Sequence, residues 1–386
     1  MVRCTSAHVD LGALASNFGA LVAHLAAEAA LNGVAGAGPS RAPGIIAVVK
    51  ANAYGHGAVP VARAFEAAGA AMLAVADIEE GVALRTAGVG APILVFGALS
   101  VSDLDGVIEH TLTPTVASPA AGRALAGAAA ARGVRLKYHL KIDTGLNRLG
   151  FRHDNLRRTL PALLVSPHLE LEAVHTHFGT ADEPESPLFD TQRRRFEGAS
   201  GVLDDLGAGP RLRHAANSAA LVRDSRVWYD FVRPGLLLYG LVPPPLHSTL
   251  PLRPVMSLTS RVVAVKGVRA GEAVGYGGRF VAAGPATLAI VPAGYADGLD
   301  RRLEGRGFAL VRGRRVPIVG AVSMDMLTLD VTEAGEVEPA DEVVFLGSQG
   351  PESWQTIDAR EMAAWIGTIP YEILCRLGAR VERRYQ

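Results

Sequence analysis

The chain of 386 residues is long enough for two domains, and 49% of its residues are hydrophobic, as in ordinary folded proteins. Its 38 basic residues equal its 38 acidic ones, so no basic surplus is available to neutralise a nucleic acid. Two cysteines, Cys4 and Cys375, are too few for a disulfide framework or a structural zinc site. The start of the chain has no apolar core of signal-peptide length, and the low-polarity stretch Ala87–Leu99 is too short to span a bilayer. We therefore expect a cytoplasmic protein that binds neither nucleic acid nor a membrane.

The first two-thirds of the sequence alternates short apolar runs with Ala-rich segments long enough to be helical crossovers. Such alternation predicts a parallel sheet, and eight apolar runs predict a closed (β/α)8 barrel of the α/β class. The predicted strands are Ile45–Lys50, Met72–Ala76, Pro92–Phe96, Thr113–Ala117, Lys137–Asp143, Leu171–His177, Leu212–Ala216 and Val232–Gly240. The predicted helices between them include Val59–Gly69, Ile78–Gly88, Ser118–Gly133 and Phe189–Gly207.

The pattern changes after the eighth predicted strand. The Pro-rich stretch Val242–Pro254 predicts a linker, and the runs beyond it are β-patterned and mostly lack helical crossovers. These runs are Ser260–Val268, Ala286–Val291, Phe308–Val311, Val316–Val319, Met326–Val331 and Glu342–Phe345. We predict a barrel domain over residues 1–249 and a β-rich domain over 250–386, closed by a short helix at Ala359–Gly367. The Gly/Ala/Pro-rich segment Leu31–Pro43 predicts a surface loop before the first barrel strand.

Polar residues at strand ends are the first candidates for chemistry, because barrel enzymes build their active sites at the carboxyl ends of the strands. Lys50 ends the first run in AVVKANAYGHG, where a buried lysine is costly unless it is used. A lysine that extends its amine to solvent at the barrel rim explains the same position equally well. Arg148 follows the fifth strand in KIDTGLNRLG. Ser218 follows strand seven, and the eighth run carries Gly235 in VRPGLLLYG; barrels often bind phosphate after strands seven and eight.

Two short motifs suggest other chemistry and are weaker. Asp143–Gly145 reads DTG, as in aspartic proteases, but those enzymes need two such carboxylates and the chain has one DTG. His175 and His177 lie two residues apart, yet no third ligand follows at a recognisable spacing, so we predict no metal site. The chain contains no G-x-S-x-G elbow, P-loop or Rossmann glycine fingerprint.

Eight motifs taken together resemble the bacterial alanine racemases, which are fold-type III enzymes that use pyridoxal 5'-phosphate (PLP). AVVKANAYGHG, KIDTGLNRLG, HTHFGTADE, ANSAA, VRPGLLLYG, GYGG, GYADG and SMD follow one another in that family's order and approximate spacing. The resemblance runs from AHVDLGALASN to TIPYEI, nearly the whole chain. It implies an alanine racemase that supplies D-alanine for peptidoglycan and works as a homodimer with shared active sites.

The resemblance implies two bases on opposite faces of the substrate. Lys50 corresponds to the lysine that binds PLP covalently and then serves as one base, and Tyr276 to the second base, which the partner subunit contributes. His177 corresponds to the neighbour that assists Tyr276. Met324, also from the partner, corresponds to the residue whose backbone contacts the substrate carboxylate. The phosphate-binding positions correspond to Tyr54, Ser218, Gly235, Leu236 and Tyr371.

Further roles follow from the same resemblance. Arg148 corresponds to the residue that positions the substrate carboxylate, and Lys141 to a lysine that is often carbamylated and braces that arginine. Lys141 in a surface ion pair is an equally open interpretation. Arg233 corresponds to the residue facing the pyridine nitrogen of PLP, where a group with donors and no acceptor keeps that nitrogen unprotonated. The remaining positions are Asn217 beside PLP, Tyr295 and Tyr371 at the entrance, and Asp325 in a Ser323-Met324-Asp325 string where the family usually has C-M-D.

Three alternatives stay open at this point. A racemase of broader specificity, acting also on serine, fits the same motifs. A barrel-type PLP decarboxylase shares the two-domain plan, but Arg233 and the Lys50–Tyr276 pair count against it. A PLP-binding homeostasis protein shares the barrel and the lysine, but it lacks the β-rich domain and Tyr276. Substrate breadth, carbamylation of Lys141, the affinity of the dimer and the role of residues 31–43 do not follow from the sequence.

Overall fold

The computed structural model describes residues 4–31, 42–97, 104–210, 212–351 and 355–386. They form two compact units, a barrel unit within residues 14–253 and a β-rich unit made of the first residues up to 13, residues 54–57 and the chain from 254 onward. The division into domains 1–249 and 250–386 stays a prediction. Most of the predicted loop Leu31–Pro43 lies outside the described residues.

The barrel unit contains eight parallel strands whose pairing closes on itself, as predicted. The first strand of the chain, β1 (Ser6–Val9), belongs to the β-rich unit. The barrel runs in the order β2, β3, β4, β5, β6, β8, β9, β10 and back to β2, with the short β7 beside β6. The strands are β2 (Gly44–Val48), β3 (Met72–Val75), β4 (Ile93–Val95), β5 (Thr113–Val116), β6 (Leu136–Asp143), β7 (Phe151–Arg152), β8 (Leu169–His175), β9 (Leu212–Asn217) and β10 (Phe231–Arg233).

Helices connect these strands. They are α1 (Leu11–Leu31), the left-handed turn α2 (Lys50–Tyr54), α3 (Ala58–Ala67), α4 (Ile78–Thr86), α5 (Leu104–Glu109), α6 (Pro119–Ala131), α7 (Leu156–Thr159), α8 (Pro161–Leu164), α9 (Leu188–Asp205) and α10 (Ser218–Arg223). Helices α3, α4, α6 and α9 correspond to the four predicted helical segments, whereas the longest helix, α1, was not predicted. Short strands such as β3 and β4 are buried almost throughout, which is why they read as continuous apolar runs in the sequence.

Three strand predictions ran two or more residues past the observed carboxyl ends, among them Leu171–His177, since β8 ends at His175. The run Val232–Gly240 does not continue as a strand, because Pro234 has no N–H to donate to a ladder, and a 3-10 helix at Leu236–Tyr239 follows. The run Ile45–Lys50 ends as a strand at Val48, so Lys50 lies beyond β2 and is exposed in this chain. The expectation that a buried strand ends in this lysine was therefore wrong.

Helix α1 is the one helix among the described residues that is long and apolar enough, by length and composition, to cross a membrane. Its buried side chains recur every three or four residues, which is typical of a helix packed on a core. They include Leu14, Phe18, Leu21 and Leu25. The Asn17 amide donates to the carbonyl oxygens of Leu238 and Arg253 at 3.1 and 2.8 Å. These contacts are those of a core helix of the barrel unit.

The β-rich unit is built on one large sheet, in agreement with the predicted β pattern. Its strands are β11 (Met256–Arg261), β12 (Ala264–Val268), β13 (Ala273–Val274), β14 (Phe280–Val281), β15 (Ala286–Val291), β16 (Phe308–Val311), β17 (Arg314–Val319), β18 (Leu327–Asp330), β19 (Glu342–Gln349), β20 (Gln355–Ile357) and β21 (Glu382–Tyr385). The sheet order is β12, β15, β18, β17, β16, β19, β11, β1, β21, with β20 on β19, and β13 pairs with β14 separately. Helices α11 (Ala359–Ile366) and α12 (Pro370–Cys375) follow.

Candidate functional site

The segment after β2 is a left-handed turn that carries Lys50. Residues Ala51, Asn52 and Ala53 have φ values of 54°, 53° and 54°, a conformation that L-residues with a Cβ rarely adopt in succession. The Glu80 carboxylate holds this turn, since it accepts the Ala51 N–H at 2.6 Å. Backbone strain of this kind persists where surrounding contacts enforce it, and it is common at functional sites.

Glu80 also ties this turn to the next strand. Its second carboxylate oxygen accepts the Ala76 N–H at 2.8 Å, just past the end of β3. Glu80 lies in the first turn of α4, whose N-cap residue Asp77 accepts the Glu80 N–H at 2.9 Å. Sequence reasoning missed Glu80. The D-I-E-E string marks a helix start, but it does not show that the carboxylate reaches two strand ends.

Lys141 is a buried cation of the site, 5% exposed near the end of β6. Burial, and after it the positive charges of Arg148, Arg233 and Lys50, lower the pKa of Lys141 to about 8. The pKa of His177 is lowered well below its usual value by burial and by the charges of the same cations. Lys50, Lys141, Arg148 and Arg233 thus lie close enough to one another and to His177 for their charges to act on the same groups, in a strongly positive site. Such a site favours an anionic ligand.

The loops after β6 and β8 are cross-linked behind these groups. Thr144 and Thr176 share a hydroxyl hydrogen bond of 2.7 Å. The Gln192 amide donates to Thr144 Oγ1 at 3.3 Å and to the His177 carbonyl at 3.1 Å. The Arg148 loop is held by Asp143, whose carboxylate accepts two backbone N–H groups, from Gly145 at 2.9 Å and Asn147 at 3.0 Å. The DTG aspartate therefore acts as a loop brace.

Ser218 and Gly235 meet at the ends of β9 and β10, as the barrel architecture predicts. The buried Ser218 hydroxyl accepts the N–H groups of Gly235 at 2.9 Å and Leu237 at 3.4 Å. Because a hydroxyl has one proton of its own, it can still donate to a ligand oxygen. Asn217 caps α10 by accepting the Ala220 N–H at 2.9 Å. A buried hydroxyl that still has a proton to donate suits a phosphate oxygen.

Arg233 is 3% exposed and fixed on three sides. It donates to the carbonyl oxygens of Thr176 at 2.8 Å and Ala215 at 2.9 Å, and to Nδ1 of His214 at 2.8 Å. Burial lowers its pKa to about 9. A guanidinium held in this way presents donors and no acceptor to a ligand.

The other predicted site residues lie in the β-rich unit. Tyr276 is 78% exposed and Met324 is 52% exposed. Tyr276 follows Gly275, whose φ is 75° and whose added Cβ would lie 3.0 Å from the Ala321 nitrogen, so the VGYGG string requires glycine there. Tyr54 and Tyr371 pack with ring centroids 5.8 Å apart, and burial raises the pKa of Tyr54.

Arg380 organises the Met324 turn and was missed by sequence reasoning. It donates to both carboxylate oxygens of the fully buried Asp297 at 2.7 and 3.0 Å, to Asp325 at 2.6 Å and to the Met324 carbonyl at 3.0 Å. Ser323 closes the same turn, since its hydroxyl lies 2.7 Å from the Met326 carbonyl and 3.1 Å from the Met326 nitrogen. Serine in place of the usual cysteine therefore supports this turn.

Two family models match the chain. The alanine racemase N-terminal domain matches residues 9–243, and the alanine racemase C-terminal domain matches residues 255–385. The chain belongs to the alanine racemase family. A relative from Symbiobacterium thermophilum, named alanine racemase, is 41% identical over 385 residues, covering 100% of this chain and 97% of the relative. Another from Carboxydothermus hydrogenoformans is 44% identical, covering 88% and 91%.

Solved alanine racemase structures share the fold. The enzyme from Streptomyces lavendulae, a D-cycloserine producer, matches with a TM-score of 0.91 and 35% identity, covering 100% of this chain and 98% of that one. The alanine racemase from Bacillus anthracis with bound L-Ala-P matches with a TM-score of 0.89 and 37% identity, covering 100% and 96%. The fold expected from the resemblance, a barrel followed by a β-rich unit, is thereby confirmed.

Proposed function

We propose that this chain racemises alanine with PLP bound in the barrel unit. The observation that carries the proposal is the pair of buried cations Lys141 and Arg233, with the buried Ser218 hydroxyl, at the carboxyl ends of barrel strands in a member of the alanine racemase family. When bound, PLP withdraws electrons from an amino acid and makes its α-proton removable. The protein then has to hold the cofactor, orient the substrate and place a base on each face.

The residues of the barrel unit fit PLP. The Ser218 hydroxyl, which keeps its own proton, suits the phosphate, and Lys50 supplies an amine just beyond β2. Gly235 and Leu236 remain predicted phosphate contacts. Arg233, which offers donors only, suits an unprotonated pyridine nitrogen. Asn217 lies beside these groups at the start of α10. Tyr54 and Tyr371 remain predicted phosphate contacts, and Tyr295 a predicted entrance residue.

Tyr276 is the proposed second base, supplied by a second copy of the chain. Its 78% exposure supports this role, since a large aromatic side chain turned to solvent is suited to an interface. Met324 and Met326, exposed by 52% and 49%, lie on the turn that Arg380 and Ser323 hold. Arg148 is the proposed clamp for the substrate carboxylate, with the Met324 backbone from the partner. We propose a cytoplasmic homodimer that supplies D-alanine for peptidoglycan.

Lys141 is proposed to be carbamylated and to brace Arg148. Carbamylation requires a neutral amine, and a pKa of about 8 leaves a useful neutral fraction at physiological pH. The product carries a negative charge, which the surrounding cations Lys50, Arg148 and Arg233 would stabilise. This modification also removes the cost of burying the ammonium group.

The purified protein should interconvert L- and D-alanine and reach the same equilibrium mixture from either side. Turnover measured by circular dichroism on alanine, serine and a bulkier amino acid would also define the substrate range. Absence of alanine racemisation in PLP-loaded protein, alongside turnover of another amino acid, would overturn the proposed substrate.

Borohydride treatment of the PLP-loaded protein should attach the cofactor irreversibly to Lys50. Peptide mapping by mass spectrometry reads the attachment site directly, without relying on activity. Lys141 is the matched control, because it is a second lysine of the same positive site with a lowered pKa. Labelling of Lys141, or of any lysine other than Lys50, would contradict the assignment.

A further inference from the structure

Arg233 is connected to the edge of the barrel by a chain of side chains. His214 Nδ1 accepts from Arg233 at 2.8 Å, His214 Nε2 lies 2.9 Å from His139 Nδ1, and His139 Nε2 lies 3.4 Å from a Glu172 carboxylate oxygen. The two imidazoles are 0% and 1% exposed, whereas the Glu172 side chain is 18% exposed and pairs with Lys137 at 2.8 Å. We call Arg233, His214, His139 and Glu172 the relay.

The guanidinium determines where every proton of the relay sits. Arginine has no acceptor, so Nδ1 of His214 must be unprotonated, and the proton of this neutral ring is on Nε2. His214 therefore donates to Nδ1 of His139, which must also be unprotonated. The proton of His139 then lies on Nε2 and points to Glu172. All three hydrogen bonds run in one direction, from the guanidinium to the carboxylate.

The surroundings favour this neutral arrangement of the two rings. Burial lowers the pKa of His139, and it lowers the pKa of His214 well below its usual value, with the charge of Arg233 acting in the same direction. The hydrogen bond with His139 lowers the pKa of Glu172 to about 2, so this carboxylate is ionised at neutral pH. His175 stacks on His214 at a centroid distance of 4.6 Å and an interplanar angle of 10°, which restrains the ring from turning.

The relay connects the buried positive charge of Arg233 to a negative charge. A buried cation is costly unless a countercharge or well-placed acceptors compensate it. The two carbonyl oxygens on Arg233 are acceptors without charge, and Glu172 supplies a negative charge through two polarised imidazoles. The carboxylate is thus kept away from the guanidinium face that would meet a ligand.

We propose that Glu172 is a positioning residue for Arg233, acting by holding His139 and His214 as neutral Nε2–H tautomers. The tautomers follow from the geometry alone, whereas the consequence for catalysis rests on the proposed racemase function. A ring that flipped to the Nδ1–H tautomer would turn a donor toward the donor of its neighbour. Such a clash would release the guanidinium from one of its three contacts.

The test is long-range 1H–15N spectroscopy on the full-length, PLP-loaded protein with labelled histidine, since it identifies the protonated nitrogen of each ring. His139→Gln and His214→Gln variants assign the two signals. In the wild-type protein both rings should carry the proton on Nε2 at neutral pH. An Nδ1–H tautomer at either ring would overturn the proposal without any variant having to fold.

Glu172→Ala should convert His139 to a mixture of tautomers. The substitution should lower kcat about tenfold, because the lost hydrogen bond involves a charged group. KM should change less than about twofold, because Arg233 is not placed on the substrate. Glu172→Gln keeps an oxygen acceptor and should restore the wild-type tautomers and most of kcat. Glu170→Gln is the matched control, because Glu170 lies on the same strand and pairs with Arg135 at 3.8 Å outside the relay.

Unchanged tautomers in Glu172→Ala, or an equal loss of kcat in Glu170→Gln, would overturn the role of Glu172. Changed tautomers with an unchanged kcat would overturn the proposed effect of Glu172 on catalysis. If the protein did not racemise alanine at all, the histidine spectra would still test the relay, so the two failures are distinguishable.

Discussion

Mixing inactive Lys50→Ala and Tyr276→Phe chains is expected to restore about a quarter of wild-type racemase activity. In a two-fold dimer with shared sites, half of the randomly formed dimers are mixed, and each has one site with both bases intact. The other site of a mixed dimer lacks both bases. The measurement is alanine racemisation before and after subunit exchange, with the fraction of mixed dimers read from differently tagged chains.

The chain offers a control that differs only in the unit that carries the second substitution. Lys50→Ala mixed with Arg148→Ala should recover nothing, because both residues belong to the barrel unit and every site in the mixed dimer is then damaged. Recovery in this control would contradict the division of roles between the units. Absence of recovery in the first mixture, with subunit exchange demonstrated, would instead place Lys50 and Tyr276 of one site in the same chain.

Tyr276→Phe is expected to lower racemisation about 10²- to 10⁴-fold in both directions, the range for loss of a general acid–base group. Both directions must fall together, because the equilibrium constant between enantiomers is one. Exchange of the α-proton without racemisation should survive on one face only, since Lys50 is still present. We expect D-alanine to keep exchanging with solvent deuterium while L-alanine stops, because the resemblance to the alanine racemases implies that the lysine serves the D side and the tyrosine the L side. Proton NMR of each enantiomer in heavy water measures both rates.

Tyr385→Phe is the matched control for this experiment. It removes the same hydroxyl from another partly exposed tyrosine of the β-rich unit, on strand β21, and should leave racemisation within about twofold of wild type. Equal exchange of the two enantiomers by Tyr276→Phe, or faster exchange of L-alanine, would refute the assignment of the faces. That result would leave the proposed racemase function intact.

The local pattern of the sequence was enough to predict the barrel. Eight apolar runs separated by helical segments predict eight parallel strands, because the burial of a strand and the length of a helix depend on residues that are neighbours in the sequence. Pro234 also marks the end of β10, beside Gly235. The sheet partner of β1 could not be predicted in this way. Its run Ser6–Val9 pairs with β11 and β21, which lie near the other end of the chain.

In the candidate site, too, residue types could be predicted from the sequence, whereas contacts between distant residues could not. Lys50 and Arg148 could be named from their positions after predicted strands, and Arg233 from the resemblance of VRPGLLLYG to the family motif. Glu80 and Arg380 could not be named, because their roles consist of hydrogen bonds to backbone groups that only folding brings near them. A carboxylate in a helical first turn and an arginine near the end of the chain have no distinctive local pattern.

The relay could not be predicted from any local pattern in the sequence. His139 and His214 are 75 residues apart in the chain, and a one-residue shift in the pairing of their strands would turn one ring away from the other. The sequence by itself determined the eight strands of the barrel and the family that the chain resembles, because these depend on residue type and spacing. Only the tertiary structure decided that a guanidinium, two imidazoles and a carboxylate touch in order, because hydrogen-bond partners are chosen by strand order and register around the closed barrel.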